Sequence, residues 1–366
     1  MKSVIASCTT ELFLDLVLGL RCLAWSVYEM SITVVKYALR LHDGRQTFGD
    51  AFVAAFLRNF FYAPRNVSRF LLNTSSACCN LLSGVDQSQW VQSVNIKPGF
   101  KGYWIQKPEE KGEEPDLVIL YFHGGGYFFG YALMYLPTHV RWINKISKLT
   151  GKRVAIFCPE YSLAPENKFP TQPEEALASY RYLLKERGIP AKSIVLAGDS
   201  AGGNMALVLG TQLLKAKDDQ EPGSLPLPGG SILISPWCRM TPPDLWSNRF
   251  AKYDYLDIRA AKVCRVRYLG ENPAISLEDP RVSPVFAKSL RGFPPCFISC
   301  GGLEVMYDEI KDLEKRMKED GVVFSMWEEP RIHIFAILPD LSLHHYATID
   351  QGAEKIARFL RENVLS

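Results

Sequence analysis

Ser200 stands in Ala197-Gly198-Asp199-Ser200-Ala201-Gly202-Gly203, between an apolar run, Ser193 to Leu196, and a helical-looking one, Asn204 to Leu209. Strand, Gly-x-Ser-x-Gly and helix in that order form a nucleophile elbow. The turn is so tight that the serine takes a strained backbone conformation and its hydroxyl is pushed out at the sheet's carboxyl edge. Gly198 and Gly202 suit it because Cβ atoms there would collide across the turn. A serine hydroxyl is a weak nucleophile until a base takes its proton. In this layout the acid and then the base follow the serine along the chain, each after a later strand. His333, in Arg331-Ile332-His333-Ile334-Phe335, comes just after the last apolar run, Val322 to Trp327, and is the expected base. His344 and His345 come later, where the final helix is expected to start. Two carboxylates follow the run Pro295 to Cys300. Glu304, at the strand's mouth, is the expected acid, since from there it reaches across the top of the sheet. Asp308, one helical turn later, is its rival, and has a second explanation as a helix-start carboxylate favoured by the dipole.

Attack on a carbonyl also needs donors aimed at the oxyanion that forms. His123-Gly124-Gly125-Gly126 ends the apolar run Leu117 to Phe122. Its glycines let the backbone approach a substrate closely and point successive N–H groups at one spot. The expected oxyanion hole is the N–H groups of Gly125, Gly126 and Ala201, with His123 bracing the glycine loop rather than acting as a base.

These parts need a sheet to hold them. Continuous apolar runs at 117–122, 153–158, 193–196, 230–234 and 295–299 are the mark of strands buried on both faces. Helical segments at 137–149, 174–187, 204–217 and 304–320 alternate with them. That alternation predicts an α/β fold, a mostly parallel central sheet with helices on both faces. Val94 to Ile96 and Lys101 to Ile105 read as an edge hairpin. The expected organisation is an N-terminal helical segment over 1–90 and a catalytic domain over 91–366. The stretch 238–290, dense in aromatics and proline, is expected to insert as the second half of a cap.

The chain has 366 residues, 47% hydrophobic and 22% charged, enough for a large core. A formal net charge of +3 gives no argument for nucleic acid or acidic lipid. The nine cysteines show no Cys-x-x-Cys and no histidine cluster has zinc-ligand spacing, so no metal or other cofactor is expected and the thiols read as mostly buried and reduced. Two sequons, Asn66-Val67-Ser68 and Asn73-Thr74-Ser75, leave a secretory location open. Leu12 to Leu41 is apolar but interrupted by Asp15, Arg21, Glu29, Lys36 and Arg40. On a helix, Asp15, Ser26, Glu29, Thr33, Lys36 and Arg40 share one narrow stripe. A wide apolar face with one polar stripe fits a packed cap helix or a membrane-surface helix, and suits a spanning helix or a signal peptide poorly. A cytoplasmic and a membrane-associated location, the endoplasmic reticulum included, both stay open. Pro64 is expected to break the next helix, Ala51 to Leu72, whose aromatic face includes Phe56 and Phe61.

His123-Gly124-Gly125-Gly126 with Gly198-Asp199-Ser200-Ala201-Gly202-Gly203 resembles the hormone-sensitive-lipase-like group of α/β-hydrolases. So do Tyr161-Ser162-Leu163-Ala164-Pro165-Glu166 with Phe169-Pro170, and Asp279-Pro280-Arg281-Val282-Ser283-Pro284. The resemblance runs from about Val118 to the C-terminus. It implies a serine carboxylesterase whose cap is built from N-terminal helices and an insertion. The group usually carries Asp where this chain has Glu304, and Gly-Phe after the base where Ile334-Phe335 stands here. The long apolar N-terminus is similar in texture to fungal steryl-acetate-deacetylating members. The expected reaction is hydrolysis of an apolar ester, short-chain or an acetylated lipid-like or secondary-metabolite alcohol, through an acyl-enzyme on Ser200. An acyltransferase or amidase using the same triad is the alternative. A non-catalytic binding protein is the other, since some relatives are receptors that lost the histidine this chain keeps.

Overall fold

Two long apolar stretches and a proline set out the N-terminal layer. The computed structural model describes residues 2–240, 249–338 and 346–365. Helix α1 (Lys2–Ala38) precedes α2 (Phe48–Leu57), which Thr47 caps by accepting the Asp50 N–H. Pro64 stands at the N-cap of α3 (Arg65–Leu82), as expected of a residue that can start a helix but not continue one. A single turn, α4 (Gln87–Trp90), leads into the sheet.

The strands are β1 (Val91–Lys97), β2 (Phe100–Ile105), β3 (Leu117–Phe122), β4 (Val154–Pro159), β5 (Ile194–Asp199), β6 (Gly230–Ile234), β7 (Cys296–Gly301) and β8 (Phe324–Glu329). They form one sheet in the order β1-β2-β4-β3-β5-β6-β7-β8. The hairpin β1–β2 and its join to β4 are antiparallel, and every other pairing is parallel. Each residue of β3 to β7 is buried, which requires cover on both faces. The cover comes from the connecting helices α5 (Leu136–Thr150), α6 (Thr171–Lys185), α7 (Ala201–Asp218), α9 (Tyr307–Glu319) and α10 (Ala347–Asn363), while α8 (Ile258–Leu269) packs on the turn between α2 and α3. Strand β8, at the edge, buries only Trp327 and begins two residues later than its apolar run. Among the described residues the cysteines are free, five of them buried.

Helix α1 packs chiefly on α2 and also on α3. The middle of the polar stripe of α1, Ser26 to Thr33, faces the protein, Lys36 and Arg40 at its end are exposed, and most of its apolar residues face out. Ser26 is buried and donates to the Phe56 carbonyl at 3.0 Å, Glu29 lies 3.9 Å from Arg58, and Tyr37 donates to the Gln46 carbonyl. Gly19 packs so closely on Val67 that a Cβ there would stand 2.7 Å from it. Leu20, Trp25, Tyr28 and Val35 are exposed on the other side. Behind this seam, Phe60 and Phe61 from the turn between α2 and α3, and Leu72 from α3, are buried.

Candidate active site

Parallel strands end together, so the loops after β3, β5, β6 and β7 meet at one edge of the sheet. Ser200 begins the turn from β5 into α7 with φ 52° and ψ −116°. A non-glycine residue at positive φ costs on the order of 1–3 kcal/mol and persists only where the surroundings over-determine it. Here they do. The Ser200 N–H donates to the Ile234 carbonyl at 2.9 Å, and its own carbonyl accepts from Asn204 and Trp237. A Cβ on Gly202 would sit 2.0 Å from the Phe122 oxygen, so β3 and the elbow touch backbone to backbone.

That contact sets the glycine loop beside the serine. Asp199, wholly buried, accepts the Gly124 N–H at 2.8 Å and the hydroxyls of Tyr121 and Tyr135. Burial pushes its carboxyl up to about 6, against the pull of those three donors. His123 stacks on Tyr161 with its Nδ1 2.7 Å from the Gly124 carbonyl. Burial pushes that imidazole down to about 4, so it stays neutral and donates from Nδ1. Gly125 and Gly126 then take φ 106° and 59°. Among the described residues, no protein acceptor takes the N–H of Gly125, Gly126 or Ala201. Asn204 ties this wall together, accepting the Tyr127 hydroxyl at 2.7 Å and donating to the carbonyls of Trp237 and Val282.

His333 is buried, and its Nδ1 lies 3.7 Å from Oε2 of the equally buried Glu304. That oxygen also accepts from the Ser235 hydroxyl at 2.6 Å and the Gly301 N–H at 3.1 Å. Ser235 in turn accepts the Ile334 N–H at 3.0 Å, so one hydroxyl fixes both the acid and the loop of the base. Burial lowers the affinity of His333 for a proton. The charge of the nearby Glu304 carboxylate, helped by those of Asp254 and Asp199, outweighs that and raises its pKa above the usual histidine value. Among the described residues neither ring nitrogen of His333 has a hydrogen-bond partner, which leaves Nε2 free to take a proton. Ser200, His333, Gly125 and Gly126 line one cavity of about 240 Å³, roofed by apolar side chains including Phe56, Leu57, Phe61 and Leu72 from α2, α3 and the turn between them.

A model of the α/β-hydrolase fold matches residues 119–337. An acetyl-hydrolase of Streptomyces hygroscopicus is 32% identical over 230 residues, 62% of this chain and 69% of that protein. An esterase of Acinetobacter venetianus is 32% identical over 235 residues, 63% of this chain and 71% of that one. The crystal structure of an esterase from the bacterial hormone-sensitive lipase family superposes with a TM-score of 0.66 at 28% identity, covering 87% of this chain and 99% of that one. The chain belongs to the hormone-sensitive-lipase-like α/β-hydrolases.

For this hydrolase the structure brings Ser200, His333, Glu304, Gly125, Gly126 and Ala201 to one edge of the sheet, with His123, Gly124 and Asp199 behind them. Asp308 stands apart: it sits in the first turn of α9, partly exposed, and pairs with the exposed Arg249 at 2.8 Å. His344 and His345 lie outside the described residues. The sequon residue Asn73 accepts the Gly130 N–H at 3.1 Å, which commits its side chain to the segment after the glycine loop. Among the described residues no group of His, Cys, Asp and Glu is arranged to hold a metal ion. Sequence reasoning missed Ser235, Asn204 and Asp254. Ser235-Pro236 directly after an apolar strand was the available signal for the first. The other two act through contacts distant in the chain.

Proposed function

We propose that this protein hydrolyses carboxylic esters of apolar alcohols, acetyl or other short acyl esters, through an acyl-enzyme on Ser200. The observation that carries the reading is a strained serine and a histidine with a free Nε2 in one apolar cavity, the histidine backed by a buried carboxylate. His333 takes the Ser200 proton as the hydroxyl attacks, and Glu304 stabilises the imidazolium and fixes the tautomer. The N–H groups of Gly125, Gly126 and Ala201 receive the oxyanion. His333 then protonates the leaving alcohol and afterwards activates the water that frees the acid. The apolar roof favours a lipid-like alcohol, and the acetyl-hydrolase among the relatives supports a small acyl group. Nitrophenyl esters of increasing acyl length, assayed with wild type and Ser200→Ala, test this. Turnover of the shortest esters by wild type alone is expected. Equal rates in both proteins, or none in either, would remove the esterase reading. Added alcohol or amine acceptors distinguish an acyltransferase.

The outward apolar face of α1 supports a location as well. We infer that the protein rests on a lipid surface through α1. The segment Val17–Ala38 is long and apolar enough to cross a bilayer, and only 11% of its most apolar window is buried. Its inner stripe stays on α2 and α3 from Gly19 to Tyr37, so the helix lies along the body with its apolar side outward, the geometry of an interfacial helix. The exposed Lys36, Arg40 and Arg45 at its end suit phosphate headgroups. Flotation of the full chain with phosphatidylcholine vesicles tests this. Wild type is expected to float and a Leu20→Glu, Trp25→Glu, Val35→Glu variant to stay behind. A soluble wild type, or a dimer broken by the same changes, would refute it.

A further inference from the structure

Asp254 is a buried carboxylate that the triad does not use. It lies in the insertion before α8, is fully buried, and has no cation within ion-pair distance among the described residues. A charge in such a place is costly unless other groups hold it. Two backbone donors do. The Val305 N–H, on the residue after Glu304, donates to Oδ2 at 2.9 Å, and the Tyr255 N–H donates to Oδ1 at 2.8 Å. The Tyr255 ring meets the His333 imidazole edge-on, with centroids 5.8 Å apart. The backbone of Asp254 is clamped too. Its carbonyl accepts from Arg58, at the end of α2, at 2.8 Å, and the same guanidinium nitrogen reaches the Lys252 carbonyl at 3.2 Å. Cap helix, insertion, acid loop and base therefore meet at this one residue.

We propose that Asp254 is a positioning residue of the triad: its carboxylate seats the Glu304 loop by holding the Val305 N–H, and its charge joins that of Glu304 in stabilising the imidazolium of His333. This rests on the triad reading of the site. The ionisable groups that face His333 are Glu304, Asp254, Asp199 and Tyr255, and those that face Asp254 are His333 and Glu304, with Arg58 on its backbone. Burial, offset in part by His333, places the Asp254 carboxyl at about 6, so its charge is present at neutral pH and fades in mild acid. The arrangement gives a buried charge a use. It has no permanent counter-ion, but gains one each time His333 takes the serine proton.

Asp254→Asn removes the charge and keeps an oxygen for the Val305 N–H. With a short nitrophenyl ester, kcat is expected to fall about tenfold at unchanged KM. The acid limb of kcat/KM should move to lower pH by roughly half to one unit, the scale of a nearby charge's effect on a titrating group. Thermal stability should hold or rise, since an unpaired buried charge has gone. Asp254→Ala, which also orphans the N–H, should lose more activity and lose stability. An Asn variant with wild-type kcat and an unmoved limb overturns the proposal, as does a loss of stability with kcat and limb unchanged. Wild type alone supplies a second check: its acid limb should be steeper than one proton below pH 6, and unit slope down to pH 4.5 overturns the proposal. Undiminished turnover by Ser200→Ala would instead sink the triad reading itself.

Discussion

Ser235→Ala removes a single hydroxyl from the centre of the site. That hydroxyl donates to Glu304 Oε2 at 2.6 Å and accepts the Ile334 N–H at 3.0 Å, both fully buried. A hydrogen bond to a charged group contributes roughly 1.5–3 kcal/mol, and an orphaned buried donor costs about 1–3 kcal/mol. The two losses share one atom and partial relaxation, so a destabilisation of about 2–4 kcal/mol is expected rather than their full sum. The catalytic effect is separable. Glu304 keeps the Gly301 N–H but loses the bond that aims it, while the His333 loop, with Ile334 at φ 53°, loses its tether. Removing a triad acid's function costs about 10⁴ in kcat, so loosening it should cost about 10–10².

Denaturant unfolding and steady-state kinetics on a short ester measure both effects. Ser235→Gly isolates the hydroxyl, because Ser235 itself sits at φ 43°, which glycine adopts without strain. The glycine variant should recover part of the stability and none of the activity. Wild-type kcat in Ser235→Ala would refute the claim that this hydroxyl aligns acid and base. Recovery of activity in Ser235→Gly would show that backbone strain, not the hydroxyl, is what matters.

Glu304→Ala is expected to lose about 10²–10⁴ in kcat, and Asp308→Ala, which breaks only a surface ion pair, less than twofold; the reverse order in side-by-side kinetics would reassign the acid. Because His333 is held above the ordinary histidine value, kcat/KM should fall as pH drops through a midpoint above 6.5, and a flat profile to pH 5 would exclude it as the base. The same raised affinity contributes stability that is complete below the unfolded value of about 6.5 and is lost as pH rises through the folded one, which a stability–pH series on His333→Gln would reveal by its absence. Gly202→Ala should yield no soluble folded protein, since its Cβ would stand 2.0 Å from the backbone oxygen of Phe122; a folded, active variant in a thermal melt would contradict the elbow geometry.

The parallel strands and the elbow were legible because local pattern decides them. Five continuous apolar runs can only be strands covered on both faces, and Gly-x-Ser-x-Gly between strand and helix leaves the backbone little choice. His333 and Glu304 were legible only through chain order, since nothing near either residue marks it as an acid or a base. The preference for Glu304 over Asp308 rested on reach. In the structure the first turn of α9 carries Asp308 out to Arg249, while Glu304 stays under His333. Asn204 and Asp254 were not legible, because they act on groups 33 and 51 residues away, and Ser235 was marked only by its place directly after an apolar strand.

Helix α1 shows what periodicity leaves open. A stripe of Asp15, Ser26, Glu29 and Thr33 predicts which residues share a face, but not which face meets protein. In water the apolar side would turn inward. It faces outward here, over a seam of small or polar contacts such as the Phe56 carbonyl to Ser26 and Val67 to Gly19. Helices that associate in lipid meet through this kind of small, polar seam. The layer that roofs the cavity is therefore the layer that carries the outward apolar face.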